Sequence, residues 1–326
     1  MASLAVLKQR LARRRNQNAS SIPTTVADSY TDYLNEAQRA VMRMPGMDSL
    51  RNGIITFASV ASQQAYALPA QGIARINRVW ETTNDIKLTY RTLGWLRETD
   101  PDPQTGTPYI WVPTGFAEVH TQPSDASAVF VDSTSASDTN TAYVEGLTSG
   151  GYYQSKSVTM TGTTAVNISS AVTDWIAITK FYLSTAAVGT VTLHEDASGG
   201  TELSKIAIGD VRAQFSAFQL FLTPSGIVTY TADVLRAVPD MTNDTDEFLV
   251  PQDFEDVLID RAELKELRKQ DDPSRYAMLL DDVRRGESAL RSFVVNHPDW
   301  QPEFGGHRAE FSSLGAQFPA DTRVGW

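Results

Sequence analysis

The stretch Tyr30-Thr31-Asp32-Tyr33-Leu34-Asn35-Glu36-Ala37-Gln38-Arg39 decides how the chain is read. Tyr30, Tyr33, Leu34 and Ala37, continued by Val41 and Met44, recur at helical spacing, which predicts a helix over 28–44 with one apolar face. Pro45-Gly46 stops it. A shorter run of good helix formers, 2–17, precedes it with Leu4, Leu7 and Leu11 at the same spacing, and 18–23 reads as a linker. Helical patterning returns only beyond Pro251. One stripe holds Phe254, Val257, Leu258, Ala262, Leu264 and Leu267. A second, started by Asp272-Pro273, holds Tyr276, Leu279, Leu280, Val283, Leu290, Phe293 and Val294.

Between the helical ends the period changes to two. Ile55-Phe57, Tyr66-Leu68, Ile73-Val79, Ile86-Tyr90, Tyr109-Val112 and Phe116-Thr121 read as strands, with a turn-rich loop at 100–108. A Ser/Thr/Gly-rich block, 127–225, adds many short strands, with turns at Gly150-Gly151 and Gly199-Gly200. Trp175 alternates within one of them as a core residue, and Trp80, Trp95 and Trp111 are expected in a core between sheet and helices. The fold class expected is α+β: a helical bundle packed on a β-sheet, carrying an inserted all-β sandwich. The divisions are 1–126, 127–225 for the insert, 226–295 for the C-terminal helices, and 296–326 as an extended docking tail. Trp300, Phe304, Phe311, Phe318 and Trp326 make that tail too aromatic for a plain disordered segment. Its tryptophans read as anchors that a partner covers.

The net charge of −11 disfavours general nucleic-acid binding. The basic cluster is Lys8, Arg10, Arg13, Arg14 and Arg15; of these Arg13, Arg14 and Arg15 are candidates to touch DNA or an acidic partner. There is no cysteine, so thiolate metal sites and disulfides are excluded. No apolar run approaches the roughly 20 residues of a membrane span, and the N-terminus is too short in apolar residues for a secretory signal. His120, His194, His297 and His307 fall in no metal-ligand spacing, and no P-loop, GxGxxG or GxSxG occurs. The pairs Asp271-Asp272 and Asp281-Asp282 read as helix caps and solvated faces, and the oxygen-rich run 240–247 lacks the glycine and spacing of a calcium loop. No enzyme, cofactor or metal is expected.

The signature Tyr33-Leu34-Asn35-Glu36-Ala37-Gln38-Arg39 resembles the second helix of bacteriophage head-to-tail adaptor proteins, also called connector or head-completion proteins. The order that follows is similar: Tyr66-Ala67-Leu68-Pro69, Ile76-Asn77-Arg78-Val79-Trp80, Gly106-Thr107-Pro108-Tyr109, then Phe248-Leu249-Val250-Pro251 before paired C-terminal helices. The likeness covers 2–125 and 226–295. The block 127–225 departs from it and is similar to the immunoglobulin-like decorations of phage structural proteins. The resemblance implies a virion protein assembled in the host cytoplasm: a ring, generally dodecameric, beneath the portal, continuing the DNA channel towards tail or nozzle proteins. DNA would pass without specific binding, and no membrane is involved. Portal and subunit contacts would fall on Tyr30, Leu34, Arg39, Phe254, Tyr276 and the aromatic tail. The alternative from another class is a virion carbohydrate- or receptor-binding module using the β-sandwich, with Tyr143, Tyr152 and Tyr153 as a platform.

Overall fold

The computed structural model describes residues 2–19, 21–99, 103–196, 200–268 and 273–295. The chain divides into two compact units, one built from both ends (Met1–Arg51 and Val238–Trp326), the other from Asn52–Ala237.

The first unit is helical: α1 (Leu4–Arg14), α2 (Thr24–Met42), a 3-10 turn at Met47–Leu50, and two helices from the C-terminal half. Helix α2 starts earlier than its apolar stripe predicts because Pro23 already holds the extended backbone from which a helix departs. Pro251 plays the same part for a 3-10 turn, Gln252–Phe254, that runs into α4 (Glu255–Leu267), and Pro273 opens α5 (Pro273–Val295). The leucines of α1 are fully buried among Tyr30, Leu34, Ala37 and Val41 of α2, Val257, Leu258 and Ala262 of α4, and Leu290 and Val294 of α5. The first turn of α1 has no side-chain cap. Its free amides are satisfied instead by a distant loop, Leu4 N–H to the Asp246 carbonyl at 2.9 Å and Ala5 N–H to that of Asp244 at 3.1 Å.

The second unit holds the strands β1 (Asn52–Ala58), β2 (Ala65–Ala67), β3 (Ile73–Glu81), β4 (Ile86–Lys87), β5 (Thr89–Tyr90), the short helix α3 (Leu93–Thr99), β6 (Thr105–Gly106) and β7 (Ile110–Ala117). The Ser/Thr-rich block follows with β8 (Val129–Ser133), β9 (Thr141–Thr148), β10 (Tyr153–Thr159), β11 (Val166–Asn167), β12 (Trp175–Leu183), β13 (Val191–Glu195) and β14 (Glu202–Ile206). Then come β15 (Phe215–Phe221), β16 (Thr223–Pro224) and β17 (Thr229–Arg236). Sheets β1-β17-β3-β4 and β2-β15-β7-β5 share a core of Tyr66, Val79, Trp111, Phe218 and Tyr230. Sheets β10-β9-β12 and β11-β8-β13-β14 share another, centred on the fully buried Trp175 and Phe181.

These layers correct the expected architecture. Among the described residues strand outweighs helix, 34% against 28%, with five α-helices and the strands spread over four small sheets, in a propeller-like arrangement, and a two-stranded pair, β16-β6; this is not a helical bundle on a sheet. The physical reason lies in where the apolar faces go. The helical core takes all its buried residues from positions 4–47 and 241–294, none of them in a strand, so the helices have already buried their stripes on one another. The sheets likewise bury their inner faces on one another. Trp111 sits in such a core, while Trp95, on α3, packs edge-on against Phe221 at 5.3 Å.

Candidate interaction surfaces

Every polar member of the 34–39 signature has a partner. Asn35, 7% exposed, donates from Nδ2 to the Met241 carbonyl and accepts the Met241 N–H at Oδ1, both at 2.9 Å. Gln38, fully buried, donates to the Pro239 carbonyl at 3.1 Å and accepts the Leu249 N–H at 2.9 Å. Glu36 pairs with Lys265 of α4, and Arg39 with Asp240. Leu34 and Ala37 enter the core. The signature therefore ties the returning chain, 239–249, onto the helix that the N-terminal half supplies.

Helix α1 is fastened to the C-terminal half by charge. Arg10 bonds the buried Glu255 at 3.0 Å, and Arg14 reaches Asp256 at 3.2 Å, Asp260, and Glu263 at 3.8 Å. Lys8 pairs with Asp244 at 2.5 Å. Burial pushes the Asp260 carboxyl up; hydrogen bonding and charge from Arg14 work against that, and the carboxylates of Asp256 and Glu263 reinforce it. Of the three arginines assigned to DNA or an acidic partner, Arg14 is engaged within the subunit, Arg13 is exposed and Arg15 is half-buried.

The other assigned contact residues that are described do not gather on one surface. Tyr30 and Leu34 are inside the helical core, with the Tyr30 hydroxyl donating to Gln17 at 2.8 Å. Phe254 packs on the half-exposed Phe293, ring centres 5.2 Å apart, and Tyr276 accepts hydrogen bonds from Arg268 at 3.1 and 3.2 Å. Trp300, Phe304, Phe311, Phe318 and Trp326 lie outside the described residues.

The tyrosines of the β unit separate into distinct roles. On the outer face of β10-β9-β12, Tyr143 and Tyr182 are cross-strand neighbours, stacked at 4.9 Å with 8° between planes, and Arg212 caps the Tyr182 ring at 4.8 Å. Tyr152 is in the β9–β10 turn, its ring over Gly150. Tyr153 donates to Glu145 at 2.8 Å, and Glu145 also takes Lys180 at 2.8 Å. These bonds, Lys180 foremost, hold the Glu145 carboxyl below its ordinary range. Sequence reading missed Thr179 and Lys180. The signal was present: inward-facing Trp175, Ile178 and Phe181 are three residues apart rather than two. Each extra residue is a bulge, and the second places Thr179 and Lys180 both outward.

Two buried carboxylates are structural. Glu195 accepts the Ser124 N–H and hydroxyl at 2.8 Å and the Ser127 hydroxyl at 2.7 Å; Asp138 accepts the Ser133 hydroxyl at 2.5 Å and the Val188 and Gly189 amides at 2.8 Å. The run 240–247 is likewise occupied, with Asp246 accepting the Thr242 and Asn243 amides at 2.8 Å. His120 stands 3.4 Å from Glu202, and His194 3.2 Å from Asp132. Among the described residues no group of three or more His, Asp or Glu side chains is placed to hold a metal ion. Nor, among them, is any helix long and apolar enough to cross a membrane. No protein-family model matches the sequence, and no curated protein matches it.

Proposed function

We propose that this chain is a structural virion subunit, a head-to-tail adaptor that assembles with copies of itself into a ring beneath the portal and carries the DNA channel on to tail or nozzle proteins. One observation carries the reading. The residues through which the sequence resembles adaptors are the ones that draw both chain ends into a single helical unit, Asn35 and Gln38 holding 239–249 and Glu36 holding α4. A unit closed in this way, with a long β excursion between its halves, suits a part that docks by helical surfaces while presenting a second body to neighbours. The charge of −11 agrees with a channel through which DNA slides, because a wall of carboxylates repels phosphate where a basic one would retain it.

The ring is templated by the portal in this account, and 296–326 is the docking segment. The full chain should therefore sediment as a monomer at micromolar concentration and co-sediment with the portal ring. A variant ending at residue 295 should stay behind. A stable closed ring formed by the chain alone, or equal retention of the shortened variant, would contradict the proposal.

A further inference from the structure

The outer face of β10-β9-β12 holds side chains in an arrangement that closing the sheet does not require. Tyr153 is on the edge strand β10, opposite Leu147 of the central strand β9. Its hydroxyl reaches Glu145 on β9 at 2.8 Å and lies 3.1 Å from the hydroxyl of Thr179 on β12. Neighbouring strands are about 4.8 Å apart, so a ring rooted on β10 that meets a group of β12 must lie across β9. One ring face is then turned to the sheet and the other to solvent, and Tyr153 is 53% exposed. The bulge at Thr179 is what brings Thr179 and Lys180 together beside Glu145, and Thr179 is itself held by its bond to the Glu145 carbonyl at 3.0 Å.

We propose that this face is a saccharide-binding subsite, in which the solvent side of the Tyr153 ring stacks on the C–H face of a pyranose and Glu145, Lys180 and Thr179 hydrogen-bond its hydroxyls. A pyranose has an apolar face bordered by hydroxyls. A single aromatic plane covers the first, and for the second the fixed carboxylate and the Thr179 hydroxyl oxygen accept while the ammonium donates. Because the groups already hold one another in place, little order is lost on binding. A protein partner would call for an apolar centre with charges at the rim, whereas here the Glu145–Lys180 pair is central, between Tyr153 on one side and the stacked Tyr143 and Tyr182 on the other. A nucleic-acid base could also stack, but its phosphates would meet Glu145 and an acidic chain. The assignment does not depend on ring assembly.

The full chain, fluorescently labelled, would be applied to a printed array of hexose, N-acetylhexosamine and uronic-acid oligosaccharides, with single-stranded DNA as a competing probe. Retention on at least one sugar class is expected, weakened about tenfold or more by Tyr153→Ala, since the stacking surface is gone. Tyr153→Phe keeps the ring but frees its tilt and should lose less. Tyr152→Ala should bind as the parent does. Far-UV circular dichroism establishes that each variant is folded, and Tyr153→Phe serves if the alanine variant is not. Retention of no oligosaccharide, equal retention by both Tyr153 variants, or binding of DNA in place of sugar overturns the assignment.

Discussion

Replacing Asn35 by alanine tests whether the signature acts as a stitch. Asn35 contributes two hydrogen bonds of 2.9 Å to the backbone of Met241, itself 3% exposed. Alanine leaves that N–H and C=O unpaired, at about 1–3 kcal/mol for each buried group. It returns about 0.5 kcal/mol through better helix propensity. The net loss should be about 3 kcal/mol, a large share of a domain's typical 5–15 kcal/mol. Followed at 222 nm, where the helical unit dominates, the urea midpoint should fall by about 1–3 M, given slopes of about 1–3 kcal/mol per molar urea. Gln38→Ala should act similarly, and the double variant should lose less than the sum because both residues hold one loop. A midpoint shift below about 0.3 M for Asn35→Ala, under an unchanged slope, would refute the stitch.

Gly146→Ala should destabilise the β unit by about 1–3 kcal/mol in thermal unfolding, because an added Cβ runs into the Ala177 carbonyl at a bulge. Arg14→Ala should cost the helical unit about 1 kcal/mol, less at high salt, since its side chain is partly exposed. Asp260→Asn should stay within about 0.5 kcal/mol at pH 7. The sign follows from burial raising that carboxyl: ionisation opposes folding above the unfolded value, so a neutral side chain loses little. Glu195 and Asp138 behave oppositely. Burial pushes both up, but the hydrogen bonds from Ser127 and Ser124, and from Ser133, Val188 and Gly189, outweigh it and hold both below the carboxylate range. Their stabilisation is complete above the unfolded values, about pH 4, and is lost as pH falls through the folded ones. Glu195→Gln should therefore flatten the acid limb of a melting-temperature profile.

The helices were legible because their periodicity survives in long segments: Leu4, Leu7 and Leu11, and Tyr30, Leu34 and Val41, are all core residues. The layering was not. An apolar stripe states that a face is buried, and not whether a helix or a sheet covers it, so a bundle on a sheet read as well as the helix-on-helix and sheet-on-sheet packing that the chain adopts. Strands failed where the partner is remote. Val129–Ser133 carries the strand formers Val129, Phe130 and Val131, but its place in the sheet is fixed by pairing with β13, some sixty positions on. Helix α3, with Leu96 buried and Trp95 partly so, is too short for a period to show. Tyr109-Val112 and Phe116-Thr121 read as two strands, yet Ile110–Ala117 is one, Pro113 being accommodated because the ladder to β15 is irregular at that point. At the surfaces, residue types were visible, but partner identity was not. Asn35 and Gln38 read as polar helix positions until Met241 and Leu249 were placed beside them, and Tyr153 was separable from Tyr143 and Tyr152 only by the reach of its hydroxyl to Glu145 and Thr179.

The adaptor role is tested most directly by electron microscopy of the full chain mixed with the portal ring of the same virus. The account predicts a second ring, coaxial with the portal and stacked beneath it, that disappears when 296–326 is deleted. Portal rings that remain bare, with this chain free in the background, would contradict it.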